Sequence, residues 1–380
     1  MRDKLNKKAQ ITIFIIIGIA FLAAVGLTIY VVSTTSSQRS QATLREQQLS
    51  AELIAPVDEF VTRCLKLTAE QGLEKIGKQG GLLNSSSADS VAFNDVNVAY
   101  GIIPPTRNIP PIFYRFPPEY PWPNFPAPVI QGQSIGYFGV PTIPNLESIT
   151  SELETFISQK ITECTESWQT FSQQGLSITS GTPKAIVNFA QEDTSISLKW
   201  TIQIESGQRK ATIENFAATI PVKFKSIHST ATEIAKEEST NINFKPADLG
   251  ATVNKKVDGF NDIITIKDTS SKINNVPYEF SFGRKNRVPA LNKISGITSA
   301  CAGATIVLNN ELKQLSIPNN PTIQLAATDP DEDDIVFSLD GTSNNQIALQ
   351  SASYTRSIIV VASDGELRDW QEIKLQVSKC

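Results

Sequence analysis

The stretch Thr194-Ser195-Ile196-Ser197-Leu198-Lys199-Trp200-Thr201-Ile202-Gln203-Ile204 sets the reading of this chain. Ile196, Leu198, Trp200, Ile202 and Ile204 alternate with polar residues without a break, the period of a strand that buries one face. Ser206-Gly207 supplies a turn. Phe216, Ala218, Ile220, Val222 and Phe224 then repeat the alternation, and Pro221 inside that run places it at a sheet edge. A helix is expected from Ser226 to Glu238, then strands at Asp262 to Lys267 and Tyr278 to Phe282.

Upstream, two segments carry helical periodicity. Leu146, Ile149, Leu153, Phe156, Ile157, Ile161, Cys164, Trp168 and Phe171 form one stripe, with Asn145 as N-cap and Gly175 past the end. From Ala55 to Gln79, Val57, Phe60, Val61, Cys64, Leu67 and Ile76 form a second stripe, with Pro56 in its first turn and Gly80-Gly81 as its stop. Between the two helices, Pro104 to Pro144 holds twelve of the 21 prolines, mixed with Phe113, Tyr114, Phe116, Tyr120, Trp122, Phe125, Tyr137 and Phe138. Proline there stops helix and central strand alike, so an extended loop is expected, with its aromatics either packed on the domain or presented for binding. Residues 55–283 thus read as an α+β domain, helices on an antiparallel sheet.

Residues 284–295 read as a linker, and residues 296–380 as an all-β sandwich. Short β-prone runs at Ala304 to Leu308, Thr322 to Ala326, Ile335 to Leu339, Ile347 to Gln350, Ser357 to Val361 and Glu372 to Val377 are separated by turn residues. Leu325-Ala326-Ala327-Thr328-Asp329-Pro330-Asp331-Glu332-Asp333-Asp334-Ile335 resembles the acidic strand-turn-strand of cadherin-like and dystroglycan-type Ig-like repeats. Val360-Val361-Ala362-Ser363-Asp364-Gly365-Glu366 resembles their V-x-A-S-D-G segment, and Asn286 to Pro289 is similar to their N-x-x-P entry. The resemblance covers about 95 residues and implies a seven-stranded sandwich used in adhesion or as a spacer, sometimes with Ca²⁺ at repeat junctions. Glu332 stands where such turns usually carry glycine. Asp329, Asp331, Asp333, Asp334 and Asp364 are hard oxygen ligands of the type calcium takes; the other reading is a solvated acidic turn.

Four cysteines allow three pairings. Nesting by domain favours Cys64 with Cys164 and Cys301 with Cys380; buried free thiols are the alternative. Disulfides are at home outside the cytoplasm. Loops of this length contribute roughly 4–5 kcal/mol each through closure entropy.

The N-terminus explains such a location. Arg2, Lys4, Lys7 and Lys8 precede a stretch, Ala9 to Gln38, with no charged residue. Its core, residues 11–32, would span roughly 33 Å as a helix, enough for a bilayer core of about 30 Å. Basic residues ahead of the span keep residues 1–10 cytoplasmic and send the bulk outside, with 33–54 as a stalk. Lys7-Lys8-Ala9-Gln10-Ile11-Thr12-Ile13-Phe14 resembles the class III signal of archaeal type IV pilin precursors. That resemblance implies processing between Ala9 and Gln10. Ala9 stands where those signals usually have glycine, and Phe14 where they usually have an acid; a plain signal-anchor fits as well. Asn84-Ser85-Ser86 is a glycosylation sequon.

A net charge of −4 gives no basic footprint for nucleic acid. His228, the single histidine, rules out a histidine metal cluster and reads as a structural residue. No phosphate-loop, dinucleotide, nucleophile-elbow or zinc-protease motif is found. The chain therefore reads as a membrane-anchored surface protein in adhesion, recognition or envelope structure. It is not expected to be an enzyme or to carry a cofactor other than Ca²⁺, and its partners would be the lipid bilayer and other surface proteins or glycans. A pilin-like filament subunit is the alternative, and an extracytoplasmic enzyme a second one.

Overall fold

The computed structural model describes residues 22, 51–85, 89–104, 129–130, 133–134, 138–165, 168–340 and 345–380. These are mostly β-sheet with a few helices, and every regular element after Arg284 is a strand. The apolar run 11–32 lies outside the described residues except for Leu22, which is helical and exposed. Ala9, Gln10 and most of the 104–144 loop lie outside them too. Among the described residues no helix is long and apolar enough to cross a membrane.

In chain order, helix α1 (51–78) precedes strands β1 (Ser90–Phe93) and β2 (Val96–Ile103). Two-residue strands β3 (Val129–Ile130) and β4 (Gln133–Ser134) pair with each other, and β5 (Val140–Pro141) pairs with β2. Then come α2 (Leu146–Cys164), α3 (Gln169–Ser172), β6 (Ser177–Ser180), β7 (Lys184–Phe189), β8 (Thr194–Ser206), β9 (Arg209–Ile220) and α4 (Phe224–Thr240). A 3-10 turn at Pro246–Leu249 leads into β10 (Ala251–Asp258), β11 (Asn261–Ile273) and β12 (Val276–Arg284).

The chain divides into two compact units. The first holds the described residues up to Cys64, with Thr165–Pro183 and Lys199–Phe216. Its centre is aromatic: the Phe60 and Phe171 ring centroids lie 5.3 Å apart, and those of Trp168 and Trp200 5.4 Å apart. The Trp200 indole N–H donates to the Gly181 carbonyl at 2.8 Å. β6 lies antiparallel to the second half of β8, with Ile178 opposite Ile204.

Two sequence expectations change in detail. The helical stripe from 146 to 172 is broken: α2 ends at Cys164, and Trp168 takes a left-handed φ of 64° before α3 begins. No glycine or proline marks the break. The Trp168 indole sits on Trp200 and donates to Ser180 Oγ at 3.4 Å, so ring packing overrides the helical period there. The alternation expected to run as a strand to Phe224 stops at Ile220, because Pro221 lacks the N–H needed to continue the ladder. Phe224 instead opens α4, fully buried.

The second unit holds Leu65–Cys164, Lys184–Leu198 and Ala217–Cys380. Its larger sheet has the order β1-β2-β12-β11-β10, with β5 on β2. The pairs are antiparallel except β12 with β2, which is parallel. Phe224, Ile227, Ala231, Ile234 and Ala235 form the buried stripe of α4, and Phe224 meets Tyr278 and Phe280 of β12 edge-on. α1 lies close on the same strand: the Tyr278 hydroxyl donates to the Leu73 carbonyl at 2.8 Å, and a Cβ at Gly77 would collide with the Glu279 carbonyl. α2 flanks β7, whose Val187 and Ala185 amides donate to Glu154 Oε1 at 3.0 Å and Ser158 Oγ at 2.9 Å.

The C-terminal part of this unit is all β. β13 (Ala290–Leu291) pairs with β18 (Ala327–Thr328). One four-stranded sheet has the order β14 (Ser299–Cys301), β22 (Arg368–Ser378), β21 (Tyr354–Ser363), β19 (Val336–Leu339); the other has β17 (Ile323–Gln324), β16 (Gln314–Ser316), β15 (Thr305–Asn309), β20 (Gln346–Ala348). Both sheets feed one apolar core, with Ile306, Leu308 and Leu315 from one and Phe337, Leu339, Ile358, Val360, Leu375 and Val377 from the other. Cys301 and Cys380 are joined by a disulfide. Cys64 and Cys164 are disulfide-bonded as well, so none of the four is a free thiol.

Candidate functional site

The residues between β12 and β13 are anchored rather than loose. Arg284 ends β12 and is 3% exposed; Asn286 and Arg287 follow at 3% and 1%. Downstream, β22 holds the same segment. Asp369 Oδ2 accepts the Leu291 amide at 2.8 Å, Gln371 Oε1 accepts the Ile294 amide at 2.7 Å, and Gln371 Nε2 donates back to the Ile294 carbonyl at 2.6 Å.

The two arginines meet three buried carboxylates from distant parts of the chain: Glu238 near the end of α4, Asp262 at the start of β11, and Asp331 in the acidic turn after β18. Arg284 reaches Glu238 Oε1 at 2.7 Å and Asp331 Oδ1 at 3.0 Å, and its Nη2 pairs with Asp262 Oδ2. Arg287 reaches Glu238 Oε2 at 2.5 Å and Asp331 Oδ1 at 2.8 Å, and donates from Nη1 to the Glu238 carbonyl at 2.8 Å and from Nη2 to the Pro330 carbonyl at 2.7 Å. Its backbone amide donates to Asp331 Oδ2 at 2.8 Å. The planar guanidinium suits this task, because its donors fan out in a fixed fork toward several carboxylate oxygens at once. Burial works to lower the pKa of both arginines. For Arg284 the charges of Glu238, Asp331 and Asp262 outweigh it, and for Arg287 those of Asp331 and Glu238 do, so both are raised. The cluster is therefore fully ionised on its cationic side.

The acidic turn itself is built around Asp329, whose Oδ1 accepts the amides of Asp331 at 2.7 Å and Asp333 at 3.1 Å. Burial pushes the Asp329 carboxyl up to about 7. Glu332 has φ +59°, the left-handed region that glycine favours. Its carboxylate spans Lys245 Nζ at 2.7 Å and Lys255 Nζ at 2.9 Å, and hydrogen bonds from those two lysines hold it down at about 2. Asp333 Oδ1 lies 3.3 Å from Lys256 Nζ, and Asp334 is exposed. Beside the turn, a cavity of about 370 Å³ is lined by Phe244, Pro246, Val253, Lys255, Pro330 and Glu332, among others.

The structure thus places four of the five aspartates singled out for calcium in one turn, Asp329, Asp331, Asp333 and the exposed Asp334. Asp364 belongs to a second turn. Its Oδ1 accepts the amides of Glu366 at 2.7 Å and Leu367 at 2.6 Å, while Asn286 Nδ2 donates to its Oδ2 at 3.1 Å and to Glu366 Oε2 at 2.8 Å. Unpartnered buried oxygens are left on Asp329 (Oδ2), Asp333 (Oδ2) and Asn286 (Oδ1). Among the described residues no group of three metal-ligating side chains is disposed to hold a metal ion. His228 Nε2 bonds the Pro144 carbonyl at 2.7 Å, a tie between α4 and the segment before α2. Asn84 is exposed, and Ser85 is buried with its hydroxyl donating to the Asn97 carbonyl at 2.6 Å; Ser86 of the sequon lies outside the described residues.

Glu238, Asp262, Arg284 and Arg287 were invisible as site residues in the sequence. The available signal was the placement of two arginines directly after the apolar run Tyr278 to Phe282, where a chain leaving a buried sheet has little room for exposed charge. No protein-family model matches the chain, and no curated protein matches it.

Proposed function

We propose that this protein is a membrane-anchored surface protein, held by the apolar segment 11–32, whose outer part serves adhesion, recognition or envelope structure without catalysis. The carrying observation is the cysteine chemistry. All four cysteines are disulfide-bonded, a state kept outside the reducing cytoplasm, and all four lie downstream of 22 uncharged residues preceded by lysines and arginine. On this reading the two-sheet C-terminal region is a cadherin-like or dystroglycan-type repeat. Its partners would be other surface proteins or glycans.

Protease treatment of intact cells tests the reading, followed by blotting with an antibody to residues 284–380 and thiol alkylation without reductant. Loss of the epitope from intact cells and absence of alkylated cysteine are expected. Full protection of the epitope, or alkylation of all four thiols, would sink the proposal.

A second reading, a pilin-like subunit, has Lys7-Lys8-Ala9-Gln10 in its favour. It requires a mature N-terminus at Gln10 and the chain in sheared filaments. Mass spectrometry that finds Met1 on the membrane-bound protein removes it.

A further inference from the structure

Each acidic residue of the turn after β18 that faces the α+β part meets a cation supplied by that part. Asp331 is taken by Arg284 and Arg287, Glu332 by Lys245 and Lys255, and Asp333 by Lys256. Arg287, on the segment leading into β13, closes the socket from the other side. Lys245 comes from the cap of the 3-10 turn, Lys255 and Lys256 from β10, and Arg284 from the end of β12. The backbone shares in the fit, since Asp331 Oδ2 is filled by the Arg287 amide and Asp262 Oδ1 by the Lys256 amide at 2.8 Å. Lys256 adopts φ +56° and Glu332 φ +59° at this contact. Two non-glycine residues held in the left-handed region on facing elements indicate that the surrounding contacts dictate both backbones.

We infer that the acidic turn is a plug held in a socket of protein-borne cations, so that the two-sheet region is locked to the α+β part without a metal ion. The donor set decides against calcium. Calcium takes about six to eight oxygens, and here both oxygens of Asp331 already accept from arginine or backbone donors. Asp364 is filled by two amides and Asn286. The oxygens left over are one each on Asp329, Asp333 and Asn286. A divalent ion placed on Asp331 would also sit against the guanidinium groups of Arg284 and Arg287, whose positive charge opposes it. The lock accounts for a cluster of five charged side chains, Glu238, Asp262, Arg284, Arg287 and Asp331, each at most 3% exposed. Such a cluster is expensive to desolvate and persists only when every member is paired.

This inference does not rest on where the protein resides in the cell. It is tested on the full chain in detergent by hydrogen exchange and thermal melting in millimolar calcium chloride and in millimolar EDTA. The Arg287 amide donates to Asp331 of the lock, and the amides of Asp331 and Asp333 donate to Asp329 of the turn that the lock holds in place. They are expected to be protected to the level of the neighbouring strands, equally in both buffers, with a single unchanged melting midpoint. Protection or midpoint that falls in EDTA and returns with calcium would overturn the lock. Arg287→Gln is expected to release protection at Asp331 and Asp333 in both buffers, and unchanged protection in that variant would overturn it equally. If Arg287→Gln does not fold, the comparison of buffers on the unaltered chain still decides.

Discussion

The turns at 329–334 and 363–367 carry the same residue type and use it in different ways. In the second, Asp364 looks inward to its own turn: it caps the amides of Glu366 and Leu367, and Gly365 at φ +110° lets the chain fold back on it. A Cβ at Gly365 would also press on the Phe260 ring at 3.1 Å. In the first, Asp329 does the local capping, which leaves Asp331, Glu332 and Asp333 to face the α+β part and pair with its arginines and lysines. An acidic turn is thus defined less by its number of carboxylates than by which of them are spent on the turn's own backbone. The second turn spends its aspartate mainly on its own shape and touches the rest of the fold through neutral contacts with Asn286 and Phe260, whereas the first joins two regions of the fold through ion pairs.

Substitutions break this contrast in graded steps. Arg287→Ala is expected to be the most damaging, by about 3–5 kcal/mol in urea unfolding, because Glu238 and Asp331 lose a buried counter-ion. Asp364→Ala removes two hydrogen bonds within its turn and the one from Asn286, all without an ion pair, and should cost about 1–3 kcal/mol; a loss equal to that of Arg287→Ala would erase the distinction between the turns. The pH dependence sharpens it further. Asp329 is raised in the folded chain to about 7 against an unfolded value near about 3.9, so its contribution is fully present below pH about 4 and is lost as pH rises through about 7. Glu332 has the opposite sign: it is held at about 2, and its contribution is present above about 4.3 and is lost as pH falls toward about 2. Melting midpoints across this range should decline toward alkaline pH for the unaltered chain, and Asp329→Asn should flatten that decline. The smallest effect is expected for Glu332→Gly, where relief of the left-handed backbone offsets the loss of two solvent-exposed lysine pairs. A midpoint within a few degrees of the parent is expected, and a collapse comparable to Arg287→Ala would show that Glu332 matters more than its exposure suggests.

Much of the architecture was legible because one-sided burial leaves a period. The alternation at 196–204 is β8, and the stripes around Leu153 and Val61 are α2 and α1. β10 was missed, since Lys255 and Lys256 interrupt its pattern where the register with β11 shifts between Asn254 and Asp258. The break before Trp168 was missed because it answers to rings far along the chain. The site was half legible. Its acidic turn stood out as a run of hard ligands, and metal was the natural partner to expect for it. Arg284 and Arg287 looked like linker because charged residues flanking a proline are usually solvated. Their burial depends on Glu238 and Asp331, 46 and 44 residues away from Arg284 and Arg287 respectively, and no local pattern encodes such a meeting.

The bond between Cys301 and Cys380 has a mechanical consequence. β14 runs parallel to β22, with Ala300 beside Val377, and the covalent link joins Cys301, the last residue of β14, to Cys380 just past the end of β22. Tension applied at residue 380 would pass through sulfur to residue 301 and on toward β13, bypassing the chain between the two cysteines, which stand 79 positions apart. The strands between the two cysteines would then lie off the direct path of the load until the bond is reduced, while β14 stays on it. Along that path the pull reaches β14 and then the segment before β13, where Arg287 is held by Glu238 and Asp331, so the redox state of one disulfide decides whether those buried ion pairs or the strands between the cysteines meet the load first.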